Sequence, residues 1–449
     1  MDEYLKIVLE QIRCKKARPY IRQELQDHIE DQIEANISAG LTRTDAEKEA
    51  VKDMGDPVEA GLSLDRIHKP QIAWKLLSII TVISVIGILI HMAIDLYVTG
   101  DGTTTAPRYA FHVITGIIVM MILYFLDYTL LARFSKILAA ILIAMCISTL
   151  LFGNVINGMQ YFISSGLFGG FRIPAQALML LYIPIYGGIL YKYRGTGYAG
   201  LVKSLLWMII PAWLVLYLPS VMTAGLMLVS MLVMLTIAVR KGWFHVQKAL
   251  SLCTIWSIFT IAPTVLILVL YWQQRFSPYQ MARLQAMFSS GSDNYMQLIL
   301  QDILSSSNFV GNNGMNIAEV LPGFNSDYIL TCLTSMYGIL PVILLCCILA
   351  ALVFGIFNTA VRQKNQLGML MGCGCGMVFL MSLLINVLEN IGIFPPTMTF
   401  LPFISSGGSY IITCYGLLGI VLSVYRYKNV YPAHIKVKLV NFFTTDETS

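Results

Sequence analysis

The sequence predicts an all-α polytopic membrane protein of about ten transmembrane helices, preceded by a small cytoplasmic helical domain. Three observations predict it. Apolar runs of about 20 residues, the length that crosses a bilayer as a helix, recur from 73 to 424. The 449-residue chain is 57% hydrophobic but only 12% charged, about half the charged share of a soluble domain. The charge is also divided. Residues 1–70 hold 11 Lys and Arg against 15 Asp and Glu, and the remainder holds 19 against 10. An acidic unit thus precedes a basic membrane unit. Basic residues on short loops orient membrane helices, so the net charge of +5 points to a bilayer and not to nucleic acid.

Residues 1–70 form the first domain. Ile21, Leu25, Ile29, Ile33 and Ile37 repeat every four residues and make one apolar stripe. Gly40 is a helix stop. Thr44 with Glu47 predicts a capping box for a third helix, which "MGDP" at 54–57 ends. The start, "MDEYLKIVLEQIRCKKARPY", is polar and is not expected to be a cleaved signal peptide. Nothing in this domain suggests catalysis; docking or stability is its expected role.

Residues 71–430 form the membrane domain, with segments near 73–98, 109–132, 136–153, 174–192, 203–219, 221–239, 248–273, 327–358, 367–393 and 404–425. Basic residues follow every second segment: Arg133 and Lys136, then Lys192, Arg194 and Lys203, then Arg240, Lys241 and Lys248, then Arg362 and Lys364, then Arg426 and Lys428. Those loops and both termini are therefore expected in the cytoplasm, and the polar loop 275–326 outside. Residues 431–449 are a cytoplasmic tail. Eight of the nine cysteines lie in apolar stretches and loop 275–326 has none, which argues against a disulfide framework. "CGC" at 373–375 reads as helix packing more readily than as a metal site.

The membrane domain and tail carry ten acids. Asp293, Asp302, Glu319 and Asp327 fall on the expected outer face, and Glu389 sits in the outer half of segment nine. Asp327 stands where the chain re-enters hydrocarbon, in "LPGFNSDYIL". Two readings stand: an N-cap for the next helix, or a carboxylate with a pKa tuned beside lipid, able to take a proton from a sugar hydroxyl. Glu389 is costly at membrane depth and is a candidate site residue for that reason.

Four stretches in order resemble the SEDS family of FtsW, RodA and SpoVE. "LPGFNSDYILTCLTSMYG" is similar, without a gap, to the family pattern LPEAHTDFIFAVIAEELG, and "NIGIFPPTMTFLPFISSGGS" at 390–409 to NIG…LP…LPFxSYGGS. "FLDYTLLARF" with "VINGMQYFISSGLFGGFRIPAQ" resembles IDYRxLRR and NGARRWIxLGxxxFQPSE, and "YQMARLQAMFSSGSDNY" at 279–295 resembles YQxxRLxxFLDPxxDPxxxGY. The likeness covers about 72–428. It implies a peptidoglycan glycosyltransferase of the bacterial cell membrane that polymerises lipid II, serving cell shape, division or sporulation beside a class B penicillin-binding protein. It places Asp327 on the family's essential aspartate as catalytic residue. Tyr279, Gln280, Arg283, Asn325, Ser326, Ser405, Gly407, Gly408 and Ser409 fall on its substrate-binding motifs, to which Glu389 is added. Arg283 would neutralise pyrophosphate bidentately or meet lipid headgroups. The serine–glycine run would allow close helix packing and a tight entry turn, or touch substrate. No cofactor is required by this reading, and a divalent cation at the pyrophosphate stays open.

The chain departs from the family where Gln160 and Tyr161 replace a basic pair, Gln176 a Glu, Met179 a Lys, Ser220 an Asp, Ser335 and Met336 a Glu pair, Asn325 a His and Ser406 a Tyr. The connection before "LPF" is shorter, and Glu389 stands where the family is usually apolar. These losses keep a non-catalytic regulator of envelope assembly as an alternative. A flippase for lipid-linked precursors is a second alternative, but it would need a polar path through several helices, and this chain has few such groups. The N-terminal domain weakly resembles the helical prefix of some Gram-positive permeases.

Overall fold

The structure is a computed structural model that describes the chain except 100–104, 157–158, 165–171, 219, 274–294, 395–396, 398 and 436–449. The four N-terminal helices are α1 (Asp2–Gln11), α2 (Arg18–Ser38), α3 (Arg43–Asp53) and α4 (Pro57–His68). Gly40 follows α2 at φ +101°. Ile21 and Ile29 are buried and Leu25 and Ile33 partly so, while Ile37 is exposed. The α3 cap differs from the sequence reading. Thr42, not Thr44, accepts from the Asp45 amide, and Glu47 instead pairs with the Met1 amino group at 3.0 Å.

The membrane bundle follows as α5 (Trp74–Thr99), α6 (Ala106–Phe125), the short α7 (Tyr128–Arg133), α8 (Ser135–Phe152), α9 (Ala175–Met179), α10 (Tyr182–Lys192), α11 (Tyr198–Tyr217), α12 (Val221–Arg240) and α13 (Lys248–Trp272). Between α8 and α9, β1 (Asn154–Ile156), β2 (Met159–Ser164) and β3 (Arg172–Ile173) form a small antiparallel sheet in that order. The second half has α14 (Tyr295–Ser305), α15 (Ile317–Val320), α16 (Ile329–Tyr337), α17 (Ile339–Val361), α18 (Gln366–Asn390) and α19 (Gly408–Arg426).

Among the described residues nine helices are long and apolar enough to cross a membrane. The expected fourth segment is broken into α9 and α10, so the ten expected segments are all occupied by helix. The expected eighth segment, 327–358, is also broken. Gly338 (φ +92°) separates α16 from α17. Its neighbours pair with the preceding loop, through Gly311 N to Tyr337 O at 2.9 Å and Ile339 N to Asn308 O at 3.1 Å. A β-carbon at Gly338 would lie 2.7 Å from Phe309 O and Val310 Cα. Backbone occupies the space a side chain would need, so only glycine fits there. The span therefore begins at Ile339, and Asp327 lies before it.

Helices α18 and α19 form the core of the bundle and are its most buried spans. Outer helices turn large apolar side chains outward, among them Ile114, Trp213 and Phe354, as lipid contact requires. At one end of α19 the N-terminal helices dock. Lys16 Nζ lies 2.7 Å from the buried Asp127 carboxylate and 3.2 Å from Tyr427 Oη, Tyr431 donates to the same carboxylate, and Gln71 N donates to Arg426 O at 3.0 Å. At about 1.5 Å per residue, the 19 residues of α19 put Gly408 about 28 Å away, at the opposite end. That end carries Asp327.

Candidate active site

The turn that carries Asp327 is built on Gly323 (φ +76°), whose carbonyl accepts from Ser326 N at 3.0 Å and Tyr328 N at 3.2 Å. Tyr328 is the N-cap of α16, with no side-chain cap hydrogen bond. The capping reading of Asp327 is thereby removed: its carboxylate closes no helix end. Asp327 is half-buried. Burial pushes its carboxyl up to about 6, the charge of Glu389 adds to this, and a hydrogen bond from Ser326 opposes it.

Three residues on one face of α18, spaced i, i+3 and i+4, hold the surroundings. Asn386 and Asn390 each donate to the Asp327 carbonyl, at 3.0 and 3.1 Å. Asn390 Oδ1 accepts from Thr331 N at 3.1 Å and from its hydroxyl at 2.9 Å, which fixes the first turn of α16. Glu389 is fully buried. Its carboxylate accepts from Thr397 N at 2.6 Å, Thr397 Oγ1 at 3.2 Å and Thr399 N at 3.2 Å.

The segment that returns to α19 grips the turn from the other side. Ser405 Oγ donates to Ser326 O and accepts from Leu401 N, both at 2.7 Å, and Ser406 N donates to Asn325 O at 3.1 Å. Asn325 and Ser326 thus give their carbonyls to the serine run. Gly407 caps α19, and Gly408 lies against α6, where a β-carbon would collide with the His112 ring. Ser409 is half-buried in the first turn of α19. Phe403, at φ +66°, is the one non-glycine residue of positive φ among those described, a conformation that costs an aromatic residue about 1 kcal/mol or more. Tyr109 donates to its carbonyl. His91 Nε2 lies 2.8 Å from Ile404 O, and the His91 and Tyr109 rings lie against each other with centroids 4.0 Å apart.

The structure therefore brings together Asp327, Asn325, Ser326, Ser405 and Glu389, while Gly407, Gly408 and Ser409 follow at the start of α19. Tyr279, Gln280, Arg283 and Asp293 lie outside the described residues. Asp302 and Glu319 are exposed, and Glu319 bonds Asn316 at 2.8 Å. His91, Tyr109, Asn386, Thr397 and Thr399 were not singled out from sequence. The available signal was the polar triplet Asn386, Glu389 and Asn390 at helical spacing in an apolar run. Among the described residues no group of three or more His, Cys, Asp or Glu side chains is placed to hold a metal.

The sequence model of the FtsW/RodA/SpoVE family, described as cell cycle protein, matches residues 70–430. The chain belongs to this family. Its membrane domain is thus that of an FtsW/RodA/SpoVE protein, and the four N-terminal helices lie outside the match. The chain is 23% identical over 402 residues to the probable peptidoglycan glycosyltransferase FtsW of Aliivibrio salmonicida, covering 86% of this chain and 96% of that relative. Two solved structures share the fold. One is a chain of a peptidoglycan synthase complex that coordinates polymerization and crosslinking, at TM-score 0.65 and 19% identity, covering 79% of this chain and 98% of that one. The other is the rod shape determining protein RodA of Thermus thermophilus, at TM-score 0.54 and 17% identity, covering 80% and 97%.

Proposed function

We propose that this protein is a peptidoglycan glycosyltransferase that polymerises lipid II at the outer surface of the bacterial cell membrane, with Asp327 as general base. The observation that carries this reading is the placement of Asp327: a half-buried carboxylate at a helix start, before the span begins, spent on no cap and with its carboxyl raised to about 6. Such a group is a base matched to neutral pH. Its carboxylate takes the proton of the acceptor sugar's 4-hydroxyl. The oxygen attacks the anomeric carbon of the donor, a glycosidic bond forms, and undecaprenyl pyrophosphate leaves with the bonding pair. The site must lie at the bilayer surface because both substrates keep lipid tails in the membrane. Glu389 spends its oxygens on Thr397 and Thr399 and so is not a ligand for a divalent cation at the pyrophosphate; no step is routed through one.

The alternation of basic loops supports an orientation with residues 1–70 and 431–449 in the cytoplasm and loop 275–326 outside. A cysteine placed at the exposed Ser305 is expected to react with a membrane-impermeant maleimide in intact cells; labelling only after permeabilisation would reverse the orientation. The crosslinking partner is a class B penicillin-binding protein, a reading supported by the fold likeness to a chain of a peptidoglycan synthase complex. A flippase path is disfavoured, because the buried carboxylates among the described residues, Asp95, Asp127 and Glu389, lie at the helix ends. Incubation of the purified protein and its partner with lipid II is expected to give glycan strands on a gel. If none form while the complex assembles, the protein is a non-catalytic regulator. That second reading is favoured by the uncharged buried Gln176, Ser335 and Met336.

A further inference from the structure

Hydrogen bonds close a ring around Asp327. The Asp327 carbonyl binds Asn386 and Asn390 on α18. Asn386 also donates to Thr399 O, and Glu389, on the same helical face, binds Thr397 and Thr399. Two residues on, Leu401 N donates to Ser405 Oγ, and Ser405 returns to Ser326 beside Asp327. Glu389 is the one carboxylate in this ring besides Asp327, and no part of it reaches solvent. A carboxylate is an acceptor-only group, and two backbone amides and a hydroxyl converge on it. An apolar residue at 389 would leave the Thr397 and Thr399 amides without that partner.

We propose that Glu389 is a positioning residue for glycosyl transfer: it clamps Thr397 and Thr399 so that Ser405 holds the Asp327 turn, and it places a negative charge beside the base. This rests on the reading of Asp327 as general base. The titratable groups facing the pair among the described residues are Asp327 and Tyr328 from the turn and Glu389 from α18. The clamp and the charge are separable functions of one side chain. Its length sets where the segment lies. Its charge adds to burial in raising the pH at which Asp327 becomes a base, because a like charge nearby disfavours ionisation.

Two variants separate them. Glu389→Gln keeps the length and loses the charge; Glu389→Asp keeps the charge and shortens the reach by one methylene. With lipid II as substrate, Glu389→Gln is expected to move the acid limb of the kcat/KM profile to lower pH. Glu389→Asp is expected to leave that limb in place and to lower kcat about 10- to 100-fold with KM little changed. Carbodiimide labelling of Asp327 in the full-length protein, read by mass spectrometry from pH 4 to 8, gives the same titration without needing turnover. A labelling midpoint that falls in Glu389→Gln supports the charge role even if polymerisation itself is absent, which keeps this inference distinct from the proposed activity. Midpoint and limb both unmoved in Glu389→Gln would overturn the charge role. Folded Glu389→Asp turning over at the wild-type rate would overturn the clamp.

Discussion

Asp327→Asn lowers lipid II polymerisation by about 10²–10⁴-fold, the usual cost of losing a general base, without unfolding the protein. Asparagine keeps the size of the side chain and can still accept from Ser326. The main-chain contacts of residue 327 to Asn386 and Asn390 are untouched by the change. What disappears is the group that takes the proton. The stability effect has the opposite sign. A carboxyl raised from 3.8 to about 6 holds its proton more tightly in the folded protein than in the unfolded chain. Its contribution to stability is full below about 4 and is lost as pH rises through about 6, so at pH 7.5 the ionised Asp327 is a net cost. Asp327→Asn should therefore unfold at the same or a higher temperature, by the equivalent of about 1–2 kcal/mol after allowance for partial exposure. The capping reading is tested by Asp327→Ala instead: a capping aspartate loses about 1 kcal/mol on change to alanine, whereas asparagine caps as well as aspartate. In the wild type, kcat/KM should rise through pH 6 and level above it. A profile flat from pH 5 to 8, or an Asp327→Asn protein that polymerises at the wild-type rate, removes the base assignment.

The sequence shows the bundle because each span is written locally: about 20 apolar residues and a basic loop need no partner elsewhere to be recognised. Asp327 and the serine–glycine run were legible for a second reason, their order within the four stretches. What holds them was not legible. Asn386 reaches Asp327 across 59 residues, His91 reaches Ile404 across 313, and Tyr109 reaches Phe403 across 294. An asparagine or histidine in an apolar run gives no sign of which distant carbonyl it will meet. The α3 cap slipped by two residues because threonine at 42 and at 44 each has an acid three positions later, and only the chain's path chooses Thr42. The break at Gly338 was hidden for a related reason. "YGILPVILL" continues an apolar run without a charge, and the pairing of 308–313 with 335–340 that interrupts the helix is a tertiary event.

That break makes Gly338→Ala the second large effect. At φ +92° and ψ 176° the backbone is in a region that is essentially glycine's alone, and a β-carbon costs about 1–3 kcal/mol there before any contact is counted. The contacts are also prohibitive. The new methyl would lie 2.7 Å from Phe309 O and Val310 Cα and 2.9 Å from Asn308 O. These are main-chain atoms tied to Ile339 and Leu340 by hydrogen bonds, so they cannot rotate away as a side chain would. The expected loss is more than about 3 kcal/mol, with faster amide exchange across 308–313 and 329–337. Because α16 follows directly on the Asp327 turn, polymerisation should fall even in the fraction that stays folded. Gly225→Ala is the control: it lies within α12, and a β-carbon there meets nothing within 4 Å, so it should be neutral or slightly stabilising. If Gly338→Ala melts with the wild type and exchanges at the wild-type rate, α16 and α17 are one continuous helix, and the seat described for Asp327 is wrong.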